Sequence, residues 1–234
     1  MSGTLIRIPA ADGRTFRGYL AVPRAVAAVG LVMVHEIFGL NATIRKLADM
    51  FAARGLLVLA PDLFWRLAED VELTYSDVDR PIARGLNARF DYEGGVADLS
   101  VAVEMLRRMP ECNGRVGATG FCLGGNMAFL AAARCDVNFA IGYYGTNIQD
   151  FLAEAARIVC PTILHIGGKD HTTPPAVVAR ILDRVAPNQN VTPFVYEDAP
   201  HAFCNVDRAD TFRPALAAEA HARSFALIES VCST

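Results

Sequence analysis

Six residues, Gly120-Phe121-Cys122-Leu123-Gly124-Gly125, restrict what this chain can fold into more than any other stretch. Before them, Arg115-Val116-Gly117-Ala118-Thr119 is short, lacks a helical period and reads as a buried strand. After them, residues 126–133 favour a helix. A strand that turns abruptly into a helix around G-x-C-x-G lifts the central side chain to the top of the turn, a nucleophile elbow with cysteine in the usual place of serine. Glycine at positions 120 and 124 leaves the room such a turn needs, because a Cβ there would collide with the neighbouring strand or helix. The helix N-terminus that follows favours a thiolate at Cys122. A buried structural cysteine beside a glycine turn is the competing reading, and the strand–turn–helix context favours the nucleophile.

Strand and helix patterns alternate along the rest of the chain. Residues 16–22 alternate as an antiparallel edge strand does, and Pro23 closes them. Continuous apolar runs at 29–34 and 56–60 fit strands buried on both faces. Further strands are expected at 140–144, 162–166 and 193–196. Ile44, Leu47 and Phe51 recur at helical spacing after Asn41, a candidate N-cap, and Gly55 ends that helix. Val96, Leu99, Val103 and Leu106 mark an amphipathic helix that Pro110 terminates, and 176–185 and 209–229 suggest two more. Residues 62–92 carry charge without a clear period and read as a mostly surface insertion with a short helix. The expected architecture is one α/β domain over 1–234, with a mainly parallel central sheet and helices on both faces.

At 234 residues, 53% hydrophobic, the chain can bury a single large core. A net charge of −3 gives no footprint for nucleic acid, and no apolar run reaches the ~18 residues of a membrane span. No secretory signal is apparent at Met1-Ser2-Gly3-Thr4-Leu5-Ile6-Arg7, so the cytosol is the default. The six cysteines, at 112, 122, 135, 160, 204 and 232, form no C-x-x-C pair and no zinc spacing, so neither a metal nor a disulfide framework is expected. No phosphate-binding loop is present, and the chemistry of a cysteine nucleophile requires no cofactor.

A nucleophile needs a base, and the base an orienting acid, each on a loop that follows a strand. Asp170 follows the strand at 162–166 and His201 follows the last strand, 48 and 31 positions along in the order nucleophile, acid, histidine. Of the other histidines, His165 reads as a satisfied core residue, His171 as the opening of a turn and His221 as surface. His35-Glu36-Ile37-Phe38-Gly39 follows the strand at 29–34, where the second amide of an oxyanion hole belongs, so the N–H groups of Ile37 and Leu123 form the expected pair. Glu36 sits beside an apolar strand end close to the nucleophile, where a carboxylate needs a partner or a raised pKa.

These segments together resemble the dienelactone hydrolase family, the carboxymethylenebutenolidases of the α/β-hydrolase superfamily. The resemblance rests on residues 35–39 and 120–125, and on Phe90-Asp91-Tyr92-Glu93-Gly94-Gly95-Val96-Ala97-Asp98-Leu99. It continues through Gly142-Tyr143-Tyr144-Gly145, residues 165–171 and His201-Ala202-Phe203. It implies an α/β-hydrolase fold, no cofactor, a monomer, and a Cys122–His201–Asp170 hydrolase opening 4-carboxymethylenebut-2-en-4-olide to maleylacetate. It further implies that Glu36 holds the resting thiol of Cys122 until substrate displaces the carboxylate, which then takes the thiol proton. The family holds the substrate carboxylate with two arginines. Arg80 matches the first by its spacing, but the second position, four residues after the histidine, carries Asn205, with Arg208 three residues on. Arg84 and Asn87 stand where the family tends to carry aromatics, and Tyr144 matches a pocket tyrosine. Losing a bidentate, permanently charged clamp opens a second reading, a broader cysteine esterase or thioesterase on small activated esters. A non-catalytic binder or thiol sensor is a third, disfavoured because a binder has no need of all three residues.

Overall fold

The computed structural model describes residues 3–24 and 27–232, so Met1, Ser2 and the side chain of Cys232 lie outside the described residues. Eight strands form one sheet: β1 (Thr4–Pro9), β2 (Thr15–Ala21), β3 (Ala28–Val34), β4 (Leu57–Pro61), β5 (Cys112–Phe121), β6 (Ala140–Tyr143), β7 (Thr162–Gly167) and β8 (Val191–Tyr196). Their spatial order is β1-β2-β4-β3-β5-β6-β7-β8. The β1–β2 and β2–β4 pairs are antiparallel, and every other neighbouring pair is parallel. The helices are α1 (Ala42–Ala53), α2 (Asp79–Ala88), α3 (Tyr92–Arg107), α4 (Leu123–Arg134), α5 (Pro175–Val185) and α6 (Pro214–Cys232). The strand expected at 16–22 is not the edge. The run Thr4 to Pro9, too short and mixed to stand out, pairs outside it from Thr4–Leu20 to Pro9–Thr15.

Alternation along β3 divides the interior in two. Ala28, Val32 and Val34 join the apolar layer under α3, α4 and α5, whereas Val29, Leu31 and Met33 join the layer under α1 and α6. Successive side chains of a strand point to opposite faces, so a run apolar at every position must be covered on both. Asn41 caps α1 by accepting the Ile44 N–H at 3.2 Å, and Asp91 caps α3 through the Glu93 N–H at 3.1 Å.

Residues 62–92 do contain a helix, α2, but the segment before it is tied down rather than superficial. Leu63, Phe64 and Val71 are buried. Buried Asp98 of α3 accepts the Trp65 indole N–H at 2.7 Å and two Arg66 N–H groups at 3.2 and 2.7 Å. Arg17 of β2 reaches Asp62, Asp70 and Glu72. These are charge-assisted anchors between residues far apart in the chain, which no local period announces.

The chain passes from β3 to β4 on one side and from β5 to β6 on the other. Adjacent β3 and β5 therefore form a topological switch point, and a crevice opens beyond their C-terminal ends. Behind it, a buried polar network fastens α6 to the sheet. His165 meets the Tyr196 and Ser224 hydroxyls at 2.9 Å each, and the Tyr143 hydroxyl meets Ser224 at 2.6 Å and His221 Nδ1 at 3.0 Å. His221, expected at the surface, is half-buried and bonded to Tyr143, because α6 turns that face onto β6.

Burial drives the pKa of His221 down to about 4 from 6.5. The unfolded chain therefore takes up this proton first. The stability that His221 contributes is complete above about pH 6.5 and is lost as the pH falls towards 4. His221→Gln should reduce the loss of unfolding free energy between pH 7.5 and pH 5 by about 2 kcal/mol relative to the parent, measured by urea denaturation at the two pH values. An unchanged difference would mean that the ring is solvated.

Candidate active site

Cys122 sits between the end of β5 and the start of α4 with φ 57° and ψ −115°, the strained geometry the elbow requires. A Cβ on Gly120 would lie 2.1 Å from the Gly124 carbonyl oxygen, and one on Gly124 would lie 2.3 Å from that of Val34. Only glycine lets α4 start this close to β3 and β5. The turn is pinned from both ends. The Cys122 N–H donates to the Tyr143 carbonyl at 3.0 Å, and the Cys122 carbonyl accepts from Gly125 and Thr146 at 3.0 and 3.2 Å.

Asp170 follows β7 and His201 follows β8. The His201 Nδ1–H donates to Asp170 Oδ2 at 2.7 Å, while the Thr172 N–H and hydroxyl donate to Asp170 Oδ1 at 2.7 and 2.6 Å. Burial pushes the Asp170 carboxyl up, but the bonds from His201 and Thr172 outweigh it and hold the group below its ordinary value. Burial likewise opposes charge on His201, and the attraction of Cys122 and Asp170 overcomes it, raising the ring's pKa to about 10. With Nδ1 fixed on Asp170, the other ring nitrogen is left for Cys122, to which His201 is also hydrogen-bonded. The three residues expected to act together are brought together.

Glu36 follows β3 and is 3% exposed. It does not bond to the thiol, as the resemblance implied it would. Its carboxylate accepts Asn205 Nδ2 at 3.0 Å, the Tyr75 hydroxyl at 3.2 Å and the Tyr144 hydroxyl at 3.3 Å. Asn205 Nδ2 also reaches the Tyr75 oxygen at 2.8 Å. Burial pushes the Glu36 carboxyl up, and neither His201 nor these donors fully reverse that. Asn205 and Tyr144, expected to touch substrate, are 1% and 2% exposed and stand behind Glu36 rather than on the cavity wall.

His35 is completely buried. Its Nδ1 meets the Glu36 carbonyl at 2.6 Å and its Nε2 accepts the Leu63 N–H at 3.0 Å, so it orients the loop carrying Glu36 and Ile37. Burial lowers its pKa to about 4, which makes it a neutral support and no base. The N–H groups of Ile37 and Leu123 meet no acceptor among the described residues.

A cavity of about 270 Å³ opens over Cys122, Glu36 and His201. Arg80, Arg84 and Asn87 line one wall, at positions four and three apart that share one face of α2 while Ala83 and Leu86 face the core. Arg208 lines the same cavity, paired with Asp210 at 3.0 Å and with its guanidinium 5.7 Å above the Tyr75 ring. His171 stands at the rim, its ring 6.1 Å from that of His201, instead of merely opening a turn. Among the described residues no cluster of His, Cys, Asp or Glu is placed to hold a metal ion, and no helix is long and apolar enough to cross a membrane.

Residues 16–232 match the model of the dienelactone hydrolase family. The chain belongs to the dienelactone hydrolase family. It is 36% identical over 199 residues to carboxymethylenebutenolidase of Pseudomonas putida, covering 85% of this chain and 84% of that one. It is 34% identical over 224 residues to carboxymethylenebutenolidase 1 of Cupriavidus pinatubonensis, covering 95% of each. A Klebsiella pneumoniae structure provisionally described as a dienelactone hydrolase superposes with a TM-score of 0.87 at 26% identity, over 96% of this chain and 97% of that one. This dienelactone hydrolase family member is a hydrolase acting on ester or lactone bonds, with the α/β-hydrolase fold.

Tyr75, Thr146, Asn147 and Thr172, which line the cavity or cradle Glu36 and Asp170, escaped sequence reasoning in this dienelactone hydrolase family chain. Tyr75 comes from the irregular segment before α2. Thr146 follows the unmarked end of β6, with its N–H on the Cys122 carbonyl. His171, next to Asp170, competes for the role of base in the sequence, although the prolines at 174 and 175 suggest a turn into the next helix.

Proposed function

We infer that this hydrolase opens a small carboxylated enol lactone, dienelactone to maleylacetate, with Cys122 as nucleophile, His201 as base and Asp170 as the group that orients the base. The observation that carries this reading is the Asp170–His201 bond beside Cys122, at the floor of a cavity whose wall presents Arg80. His201, its ring held protonated beside Cys122 and Asp170, carries the proton that the sulfur has given up, and the sulfur attacks the lactone carbonyl carbon. The new oxyanion faces the free N–H groups of Ile37 and Leu123, which is where such donors lower the barrier. The ring C–O bond breaks, and the enolate leaves with the proton from His201. Water then gives a proton to His201 and forms the new C–O bond, and the C–S bond breaks as the thiol is restored. Because three donors hold Glu36 aside, the proton of Cys122 rests on His201 and not on Glu36.

The test is the rate of ultraviolet absorbance loss with cis- and trans-dienelactone, alongside a neutral aryl ester. Turnover of at least one dienelactone isomer is expected to exceed that of the neutral ester. Arg80→Ala should raise KM for dienelactone by roughly 10-fold or more, as loss of a charge-assisted bond to a carboxylate does. Hydrolysis of the neutral ester with no reaction on either isomer would transfer the site to the broader esterase reading.

A further inference from the structure

The wall that α2 gives to the cavity presents hydrogen-bond donors. Arg80, Arg84 and Asn87 line it, and since Asn87 Oδ1 is shielded, Nδ2 is the amide atom left to the cavity. A helix rises ~1.5 Å per residue, so the three positions spread over about 10 Å, with about 6 Å between the two arginines. The arginines differ in their company. Arg80 faces Asp77 at 3.7 Å, and Asp210, held below its ordinary value by its bond to Arg208, also feels the charge of Arg80. Arg84 has no acidic partner among the described residues. Asp79, the acid of the first turn of α2, is occupied by the Thr74 N–H at 2.8 Å, and the cavity's own Glu36 by Asn205, Tyr75 and Tyr144. Like charges four residues apart on a helix repel, a cost that an anion at Arg84 removes. A guanidinium matches a carboxylate bidentately, so one carboxylate at Arg80 leaves Arg84, a turn farther along, unmatched.

Resting on the reading above, in which Arg80 holds a substrate carboxylate, we propose that the preferred substrate is a dianion: a lactone or ester whose second carboxylate docks at Arg84. Asn87 Nδ2, one turn beyond Arg84 on the same face, adds a neutral donor to that end of the wall. Arg84 is then a specificity-determining residue. It separates substrates with two carboxylates from those with one, and it leaves the chemistry at Cys122 as it is.

The experiment compares two 4-nitrophenyl esters on the whole chain: the terminal mono-ester of tricarballylic acid, with two free carboxylates, and its analogue with the far carboxylate replaced by a neutral carboxamide. The ratio of kcat/KM, diacid over carboxamide, should be roughly 5 or more in the parent and fall towards 1 in Arg84→Gln. Arg84→Lys, which keeps the charge and loses the fork, should retain part of the preference. Raising the salt from about 0.05 to 0.5 M should shrink the ratio, as it does for an exposed ion pair. A ratio near 1 in the parent, or one that Arg84→Gln leaves intact, would overturn the second carboxylate site and make Arg84 a solvated residue. Either result alongside turnover of dienelactone leaves the lactonase reading standing. Absence of any Cys122-dependent hydrolysis on esters and dienelactone alike would remove that reading and the second site with it.

Discussion

Cys122→Ala is expected to lower kcat/KM on dienelactone by about 10⁴-fold or more, the scale set by removing the nucleophile from a preorganised triad. Nothing else on the cavity floor combines a nucleophilic atom with a base already oriented by a carboxylate. His201 is committed to Asp170 at 2.7 Å, and Thr172, whose hydroxyl donates to the same carboxylate at 2.6 Å, is committed as well. The free amides of Ile37 and Leu123 would still polarise a bound carbonyl, so a small residual rate above water is expected. The replacement leaves the backbone as it is. Alanine suffers the same strain at φ 57° as cysteine does, and thermal unfolding should move by only a degree or two. Activity above about one per cent of the parent, with an unchanged unfolding profile, would make Cys122 a bystander and send the search to another nucleophile.

Gly124→Ala should be among the most damaging single-methyl changes in the chain. The added carbon would lie 2.3 Å from the Val34 oxygen, 2.7 Å from its carbonyl carbon and 2.8 Å from the His35 oxygen. All three are main-chain atoms at the end of β3, so no rotamer can give way. Either α4 withdraws from the sheet or the Val34–His35 peptide tilts and carries Glu36 and Ile37 with it. A cost above about 4 kcal/mol is expected, which for a domain of this size lowers Tm by roughly 10 °C or prevents accumulation of folded protein. Gly85→Ala is the matched control, because a Cβ there meets nothing within 4 Å on the outer side of α2. It should leave Tm unchanged or raise it slightly. Equal behaviour of the two variants would show that the contact at the elbow relaxes freely.

Local chemistry made the framework and the triad readable. The runs that became β3, β4 and β7 are apolar at nearly every position, and Asp170 follows one of them, while the elbow and His201 follow the more mixed strands β5 and β8. That is where a parallel sheet must place its working loops. The cradle of Glu36 could not be read the same way. Tyr75 and Asn205 lie 130 positions apart, and each looks like an ordinary loop residue until the fold sets them 2.8 Å apart. The resemblance named positions that the structure places differently from its expectation. Asn205 and Tyr144 support a carboxylate instead of lining the cavity, and Glu36 is bonded to them instead of to the thiol. The face of α2 was legible only as positions. That Arg80, Arg84 and Asn87 share a wall depends on a helix whose charged, aperiodic sequence hid it. His221 was misplaced because the last helix is apolar on more than one side, so its spacing does not reveal which face meets the sheet.

Positive φ angles in residues other than glycine gather at one end of this molecule. Cys122, Tyr144, Asn147 and Ala202 all stand at the C-terminal edge of the sheet, at 57°, 38°, 61° and 62°. Each such residue stores on the order of 1–3 kcal/mol, less for asparagine. A population of this protein selected for heat tolerance would therefore meet a divided terrain. Relaxing Tyr144 or Ala202 would yield stability at once, but these residues set the aim of the Glu36 cradle and the His201 loop, so such lineages would lose turnover as they gained endurance. Asp70 and Ala27 carry the same strain, at 56° and 57°, away from the cavity wall. Adaptation to heat has its open route there, at positions that do not line the cavity.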